Sequence, residues 1–321
     1  MENYNRDTLA WCVTDGAAGN VSQVKGLASA MNLIYQEKKV ILRFPWSHLP
    51  PGFFPIFDFA IKNKSDFMAD RYPKYVITSG RKSIYLSLLL KRKLKDKVKT
   101  IHIQDPKINP KLFDHIIAPE HDHIKGPNVI KSKLAINHIN EELMSSEAIK
   151  FNEDFKSLNK PIVTLILGGK SNNYTFDKAA LNRLSMKIDK IIENNSVSLV
   201  ILFSRRTDKF IKDFIAKKYS EDHLVWTNSQ KNPYIALLKL SSCLICTGDS
   251  VSMISEAIYS RKPVYIFRLK SKKKNNRIDL FNEKLLALGY TKELSSNLIF
   301  DKTDYENETI KIAEIILKNR S

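Results

Sequence analysis

The richest run of reactive side chains is Thr247-Gly248-Asp249-Ser250-Val251-Ser252-Met253-Ile254-Ser255-Glu256-Ala257. An apolar stretch stops at Thr247, and a helix is predicted to start near Ser250. The free N–H groups of a first helical turn form an anion site, and the helix dipole favours a phosphate there. Ser250 and Ser252 add hydroxyl donors. Glu256 falls roughly a turn and a half into the helix, where a carboxylate can accept both ribose hydroxyls of a nucleotide whose pyrophosphate rests at the helix start. Thr247, Gly248, Asp249 and Met253 complete this candidate donor-binding segment. A capped helix with a surface glutamate fits the same spacing.

Two further turns carry compatible chemistry. In Gly168-Gly169-Lys170-Ser171, Gly169 would let the backbone approach a ligand and Lys170 would neutralise a phosphate. The spacing is not that of a Walker A loop, and a bare turn also fits. In Ser204-Arg205-Arg206-Thr207, Ser204 opens a turn whose adjacent Arg205 and Arg206 can clamp a diphosphate and stabilise charge on a leaving nucleotide. A solvated basic turn is the alternative.

Earlier in the chain, Asp15-Gly16-Ala17-Ala18-Gly19-Asn20 forms a small-residue turn suited to admitting an acceptor. It lacks the G-x-G-x-x-G of dinucleotide binders, which argues against a nicotinamide role. Ser79-Gly80-Arg81 and Gln104-Asp105-Pro106 are its expected neighbours across a sheet. Glu120-His121-Asp122-His123 is dense in ionisable groups. It reads either as a weak metal site without further ligands at metal spacing, or as His121 and Asp122 serving acid–base chemistry on an acceptor. No G-x-S-x-G or H-E-x-x-H occurs, so the common hydrolase chemistries find no support.

The elements that must position these residues alternate between strand and helix. Leu9–Thr14, 39–44, Tyr75–Thr78, 100–103 and 114–118 read as strands of a first half, with helices over 21–31 and from about 81 to 93. A polar stretch, 141–160, carries five carboxylates and fits an inter-domain connection. Pro161 opens a second series, with strands at 162–167, 199–203, 224–226, 243–246 and 263–267. A helix begins near Asn232-Pro233-Tyr234, and a final one spans 309–317. This alternation implies parallel sheets covered on both faces. The expected architecture is α/β, with two Rossmann-like doubly wound domains facing a cleft: 1–140, a linker over 141–160, 161–300, and a C-terminal helix within 301–321. Ligands in such sheets bind beyond the carboxyl ends of the strands, where every turn named above lies.

The chain of 321 residues is 43% hydrophobic, enough to bury two cores. Its net charge of +18 calls for an anionic partner or reflects a lysine-rich composition. No aromatic residues interleave with the Lys91–Lys99 and Lys270–Lys274 clusters, which weakens a nucleic-acid reading. Three cysteines give no disulfide framework, and Cys243-Leu-Ile-Cys246 reads as buried strand rather than a redox motif. The first seven residues have no apolar signal-peptide core, and no apolar run nears the roughly 18 residues of a membrane span. A cytoplasmic protein, peripheral at most on the inner face of the cytoplasmic membrane, is expected.

Taken in order, Asp15-Gly16-x-x-Gly19-Asn20-x-x-Gln23, Gln104-Asp105-Pro106, Pro119-Glu120-His121-Asp122, Gly168-Gly169, Ser204-Arg205-Arg206-Thr207 and Thr247-Gly248-Asp249-Ser250-x-Ser252-Met253-x-Ser255-Glu256-Ala257 resemble the elongated-mitochondria fission factor family. The resemblance runs from about Trp11 to Tyr290. Plant members are linked to mitochondrial division, and bacterial relatives are assigned to the glycosyltransferases. The resemblance implies a GT-B architecture without a bound metal or cofactor, in which the C-terminal domain holds a nucleotide sugar through Gly169, Arg205, Thr247, Gly248, Ser250, Ser252 and Glu256. The acceptor side falls on Asp15, Gly16, Asn20 and Gln23, with Asp15 or Asp105 as the catalytic carboxylate. An envelope glycan or lipid-linked acceptor of the lipopolysaccharide type is implied. The alternative is a non-catalytic adaptor that recruits a protein partner at a membrane surface. Lys107 stands where the resemblance implies an arginine, which would change a planar fork to a point charge.

Overall fold

The computed structural model describes residues 9–53, 57–68, 71–159, 161–171, 173–227, 231–274 and 276–318. The N-terminal stretch read above for a signal peptide lies outside these residues. The chain forms two compact units, one of Met1–His138 with Glu306–Ser321, the other of Ile139–Tyr305. Each is built around a six-stranded parallel sheet.

In the first unit the strands are β1 (Leu9–Thr14), β2 (Ile34–Lys39), β3 (Tyr75–Ser79), β4 (Lys99–Ile103), β5 (His115–Pro119) and β6 (Val129–Ser132), in sheet order β2-β1-β3-β4-β5-β6. The helices α1 (Ala18–Ala30) and α2 (Arg81–Leu94) follow β1 and β3. Period-two side chains explain why both faces need cover. Ala10, Cys12, Tyr75 and Ile77 enter one core with Leu27 of α1, whereas Trp11, Val13 and Val76 enter another with Tyr85 and Leu86 of α2. Gly26 is required where α1 meets the chain near 137, because a Cβ there would stand 2.0 Å from the Asn137 carbonyl oxygen.

The second unit carries α3 (Glu141–Lys150), α4 (Asn152–Phe155), β7 (Ile162–Leu167), β8 (Tyr174–Thr175), α5 (Lys178–Asn194), β9 (Ser198–Phe203), α6 (Lys209–Tyr219), β10 (Leu224–Val225), α7 (Tyr234–Leu240), β11 (Cys243–Thr247), α8 (Val251–Tyr259), β12 (Val264–Phe267), β13 (Lys270–Ser271), α9 (Arg277–Ala287) and β14 (Lys292–Glu293). Its sheet order is β10-β9-β7-β11-β12-β14, while β8 and β13 pair separately and antiparallel. Val163, Leu165, Leu199 and Ile201 face the core under α5 and α6, and Val200 and Leu202 face Phe151, Phe155 and α7.

Three expectations change. The strand expected at 39–44 is displaced to β2, an edge strand with a largely exposed, polar sequence that periodicity alone does not flag. The stretch read as a connection, 141–160, holds two helices packed on the second sheet through Phe151 and Phe155. The final helix, α10 (Glu308–Lys318), joins the first unit, where Ile312, Ala313 and Ile316 pack beside Leu27 and Ile77. Cys243 and Cys246 are buried in β11, and burial raises the Cys243 thiol to about 12, so neither serves as a thiolate. No helix of the described residues is long and apolar enough to cross a membrane.

Candidate functional site

In the second unit the sheet begins at β7, winds outward through β9 and β10, and returns to β11 on the other side. The order therefore reverses between β7 and β11, the place where open α/β sheets leave a crevice beyond their carboxyl ends. Gly168-Gly169 leaves β7 there, and Gly248-Asp249 leaves β11.

These two turns are knotted by one buried carboxylate. Asp249 accepts a hydrogen bond from Thr247 Oγ1 at 2.6 Å, from the Gly169 N–H at 3.2 Å and from Arg206 Nη2 at 3.0 Å. Thr247 Oγ1 accepts in turn from the Gly168 N–H at 2.8 Å. Thr207 Oγ1 donates to the Gly168 carbonyl at 2.6 Å and meets Ser204 Oγ at 3.1 Å. A Cβ on Gly168 would fall 2.0 Å from Asp249 Oδ1, and one on Gly169 would fall 2.0 Å from the Arg206 carbonyl. Both glycines therefore admit protein atoms rather than a ligand.

This reassigns several sequence candidates. Thr247 and Asp249 are buried and satisfy each other. Gly248 is closed in by Asn282, whose Nδ2 donates to its carbonyl at 2.9 Å. The side chain of Met253 is buried and its N–H is capped by Ser250 Oγ at 3.4 Å. Arg206 is drawn back by Asp249, while Arg205 is exposed and has no ion pair among the described residues. Trp226 packs edge-on against Phe151 at 5.9 Å and donates to the Lys231 carbonyl at 3.0 Å. It is half-buried and packs against the core rather than opening toward a ligand.

What remains open toward solvent is the first turn of α8 with Ser250 and Ser252, the Arg205 guanidinium, and the Lys170 ammonium. Glu256 is partly buried one turn further along α8, and its Oε2 accepts from Tyr234 Oη at 2.9 Å. Burial raises its carboxyl to about 7, against the opposing pull of that hydrogen bond. Tyr234 escaped the sequence reading because it sits on α7, 22 residues away. A cavity of about 350 Å³ adjoins Lys170, lined also by Phe176, Asp208, Phe210 and Lys272. Of these last four only Lys272 carried a sequence signal, as a member of the Lys270–Lys274 cluster.

The first unit has its own reversal, between β1 and β3. Asp15 accepts from the Ala17 N–H at 3.2 Å and from Asn20 Nδ2 at 3.0 Å. Ser79 Oγ donates to Gln23 Oε1 at 2.8 Å and to Asn20 Oδ1 at 3.2 Å. Gln104 Nε2 donates to the same two oxygens, at 3.1 and 3.2 Å. Gln104 holds φ at 90°, a conformation rare for a non-glycine residue and concentrated at functional positions. Gly16 and Gly80, with φ of 89° and 90°, complete the turns. The helix that follows, α1, has no side-chain cap at Ala17, and its Ala18-Gly19 start is exposed.

Asp15, Gly16, Asn20, Gln23 and Ser79 thus converge as the sequence suggests. Arg81 does not join them, because its guanidinium binds the carbonyls of Ser47, His48 and Leu49 at 2.8 to 3.1 Å. Asp105 pairs with Lys107 and accepts its N–H at 2.9 Å. His121 and Asp122 lie in a turn beyond β5, separated from β3 by β4. His102 is buried and held neutral, its imidazole lowered to about 3 by burial against the opposing charge of Asp105, and paired with Thr78 Oγ1 at 2.8 Å. Among the described residues no cluster of three His, Cys, Asp or Glu is placed to hold a metal.

The family model described as mitochondrial fission ELM1 matches residues 18–319. An uncharacterized Rickettsia prowazekii protein is 27% identical over 348 aligned positions, covering 95% of this chain and 97% of that protein. The mitochondrial fission protein ELM1 of Arabidopsis thaliana is 25% identical over 219 positions, 60% of this chain and 51% of its own length. Among solved structures, UDP-GlcNAc 2-epimerase from Methanocaldococcus jannaschii aligns with a TM-score of 0.60 at 12% identity, over 97% of this chain and 99% of that one. The Neisseria meningitidis UDP-GlcNAc 2-epimerase bound to UDP-GlcNAc gives 0.53 at 14% identity, over 97% and 90%. A UDP-glucosyltransferase from Polygonum tinctorium gives 0.51 at 10%, over 96% and 88%. At such identities the likeness is one of fold: two Rossmann-like units of the glycosyltransferase-like, GT-B kind.

Proposed function

The chain belongs to the mitochondrial fission ELM1 family, and from that premise we propose that it is a glycosyltransferase moving a sugar from a nucleotide-diphosphate donor to an envelope glycan or lipid-linked acceptor. The observation that carries this reading is the pairing, on one helix at the β7/β11 reversal, of an open first turn at Ser250 and Ser252 with the Glu256 carboxylate. The turn suits a pyrophosphate and the carboxylate a ribose diol. Arg205 and Lys170 supply the cationic side, and the cavity beside Lys170 offers volume for part of the donor. The knot around Asp249 keeps this floor rigid, as an electrostatic site requires.

In this reading the acceptor belongs to the first unit, at Asp15, Gly16, Asn20, Gln23 and Ser79. Asp15 is the carboxylate placed to orient or deprotonate the acceptor hydroxyl, since Asp105 is engaged by Lys107. The neighbours' UDP sugars make UDP-GlcNAc the first donor to test. Calorimetry against uridine, guanosine, adenosine and cytidine diphosphate sugars is expected to find one that binds the parent protein and loses affinity in Glu256→Gln. Silence across the panel would reject the reading.

A second reading, a non-catalytic adaptor on the same fold, is favoured by one observation. Arg206 is turned to Asp249, leaving Arg205 to carry diphosphate binding without the second arginine. The same panel separates the two, because an adaptor has no need of a donor.

A further inference from the structure

Between β2 and β3 the chain makes an excursion, described over 41–53 and 57–68, that the fold uses by halves. Leu42 and Ile61 meet in an antiparallel bridge and, with Ala60 and Phe67, pack inward against Trp11, Val13 and Val76. The outward half is apolar too. Ile41, Phe44, Phe53, Phe57, Phe59 and Met68 are 40 to 79% exposed, and they include four of the five exposed phenylalanines among the described residues. Phe57 and Phe59 stack at 5.5 Å, and Trp46 meets Phe59 edge-on at 5.2 Å. The segment's core contribution is complete without these rings, so their exposure is not explained by folding.

The charges around them leave a cationic excess, with Arg43, Lys62 and Lys64 set against Asp58 and Asp66. Asp58 is paired with Lys64 at 2.5 Å, whereas Asp66 accepts from the neutral Asn63 amide, Nδ2 at 2.8 Å, and offsets one cation. Arg43 and Lys62 are exposed and have no ion pair among the described residues. Aromatic rings flanked by a cationic excess match the depth profile of a bilayer surface, with rings at headgroup level and cations on phosphates. A second copy of the chain is disfavoured, since each copy carries a net charge of +18 and like-charged copies repel.

We propose that the outward face formed by Ile41, Phe44, Phe53, Phe57, Phe59 and Met68 is a membrane-docking surface that seats on an anionic phospholipid bilayer. Arg81, at the start of α2, grips the carbonyls of Ser47, His48 and Leu49, which fixes the excursion at the end of the sheet that also carries Asp15, Asn20 and Ser79. A lipid-linked acceptor would thus bring its head group to that cluster. This last step rests on the glycosyl-transfer reading; docking itself does not.

The test uses the full chain without nucleotide, so its failure is distinct from failure of donor binding. Sucrose-loaded vesicles of phosphatidylethanolamine with phosphatidylglycerol are sedimented with the parent and with Phe44→Ser/Phe53→Ser. The parent is expected to partition, and the double variant to lose at least about tenfold in partition at unchanged Tm. Brominated lipids are expected to quench parent fluorescence, and Trp46→Phe to remove most of that quenching. Equal partition of parent and double variant would overturn the proposal, as would absence of quenching in the parent. So would a concentration-dependent dimer, seen by sedimentation velocity without lipid and lost in the double variant, because it would make the patch a self-association surface.

Discussion

At the scale of single residues, Glu256 and Asp249 show two opposite uses of a carboxylate on adjoining turns. Glu256 keeps its proton to about pH 7 because it is buried, whereas in the unfolded chain it releases it near 4.5. The folded state therefore binds that proton more tightly. The associated stability is full below 4.5 and lost as pH rises through 7. Glu256→Gln is expected to flatten this fall, an effect on the order of 1–2 kcal/mol after screening at a partly exposed site, read as Tm between acid and mildly alkaline buffer. The same titration governs the proposed ligand. Only the carboxylate accepts both ribose hydroxyls, so affinity for a nucleotide-diphosphate sugar should rise as pH passes 7, and Glu256→Gln should abolish the rise. The sugar diphosphate has no phosphate group titrating in that window, so calorimetry at three pH values isolates Glu256. Asp249 has the structural task. Asp249→Ala leaves Arg206, the Gly169 N–H and the Thr247 hydroxyl without their acceptor, and a loss of about 3 kcal/mol in chemical denaturation is expected. A variant as stable as the parent would dissolve the knot as an explanation.

At the scale of elements, α8 and the two strands that flank its start carry the argument. Ser250→Ala removes the N-cap of α8 and should cost about 1 kcal/mol, together with weaker donor binding. Gly168→Ala should cost more, about 1–3 kcal/mol, since the new methyl must displace Asp249. Thermal melts of the two variants rank them, and the reverse order would mean that Asp249 can move aside. The sequence makes the central strands legible because β1, β3, β7, β9 and β11 are short apolar runs ending in glycine or polar turns. It hides β2, whose Ile-Tyr-Gln-Glu-Lys-Lys pattern pairs on one side only, and the two-residue β14, held by pairing with β12. The candidate site is legible as a set of turns, since strand ends are where ligands collect. Which side chains turn inward is not, because Asp249 and Arg206 are set by partners 43 residues apart. A glycine pair reads the same whether a phosphate or a buried aspartate needs the room.

At the scale of the molecule, the first unit is discontinuous and the second is one run of chain. Helix α10 returns to the first unit across the whole length of the second, and Ile312, Ala313 and Ile316 fill a core with Leu27, Ile77 and Ile101. The Glu308 carboxylate also accepts the Lys133 N–H at 3.1 Å. Sequence periodicity foresees α10 as a helix but not its destination, because an amphipathic face does not state which sheet it covers. Deleting 306–321 strips the buried apolar side chains of Ile312, Ala313 and Ile316 from the first unit's core. Each contributes up to about 1.5–3 kcal/mol, less for the alanine, so the first unit should lose several kcal/mol. That is a fall of at least about 10 °C in its own transition. Hydrogen exchange read by peptide separates the units: faster exchange is expected in β1, β3 and α1, with β7, β9 and β11 unchanged. Equal loosening of both sheets would show that the chain end supports the molecule as a whole. The assignment of α10 to one unit would then fail.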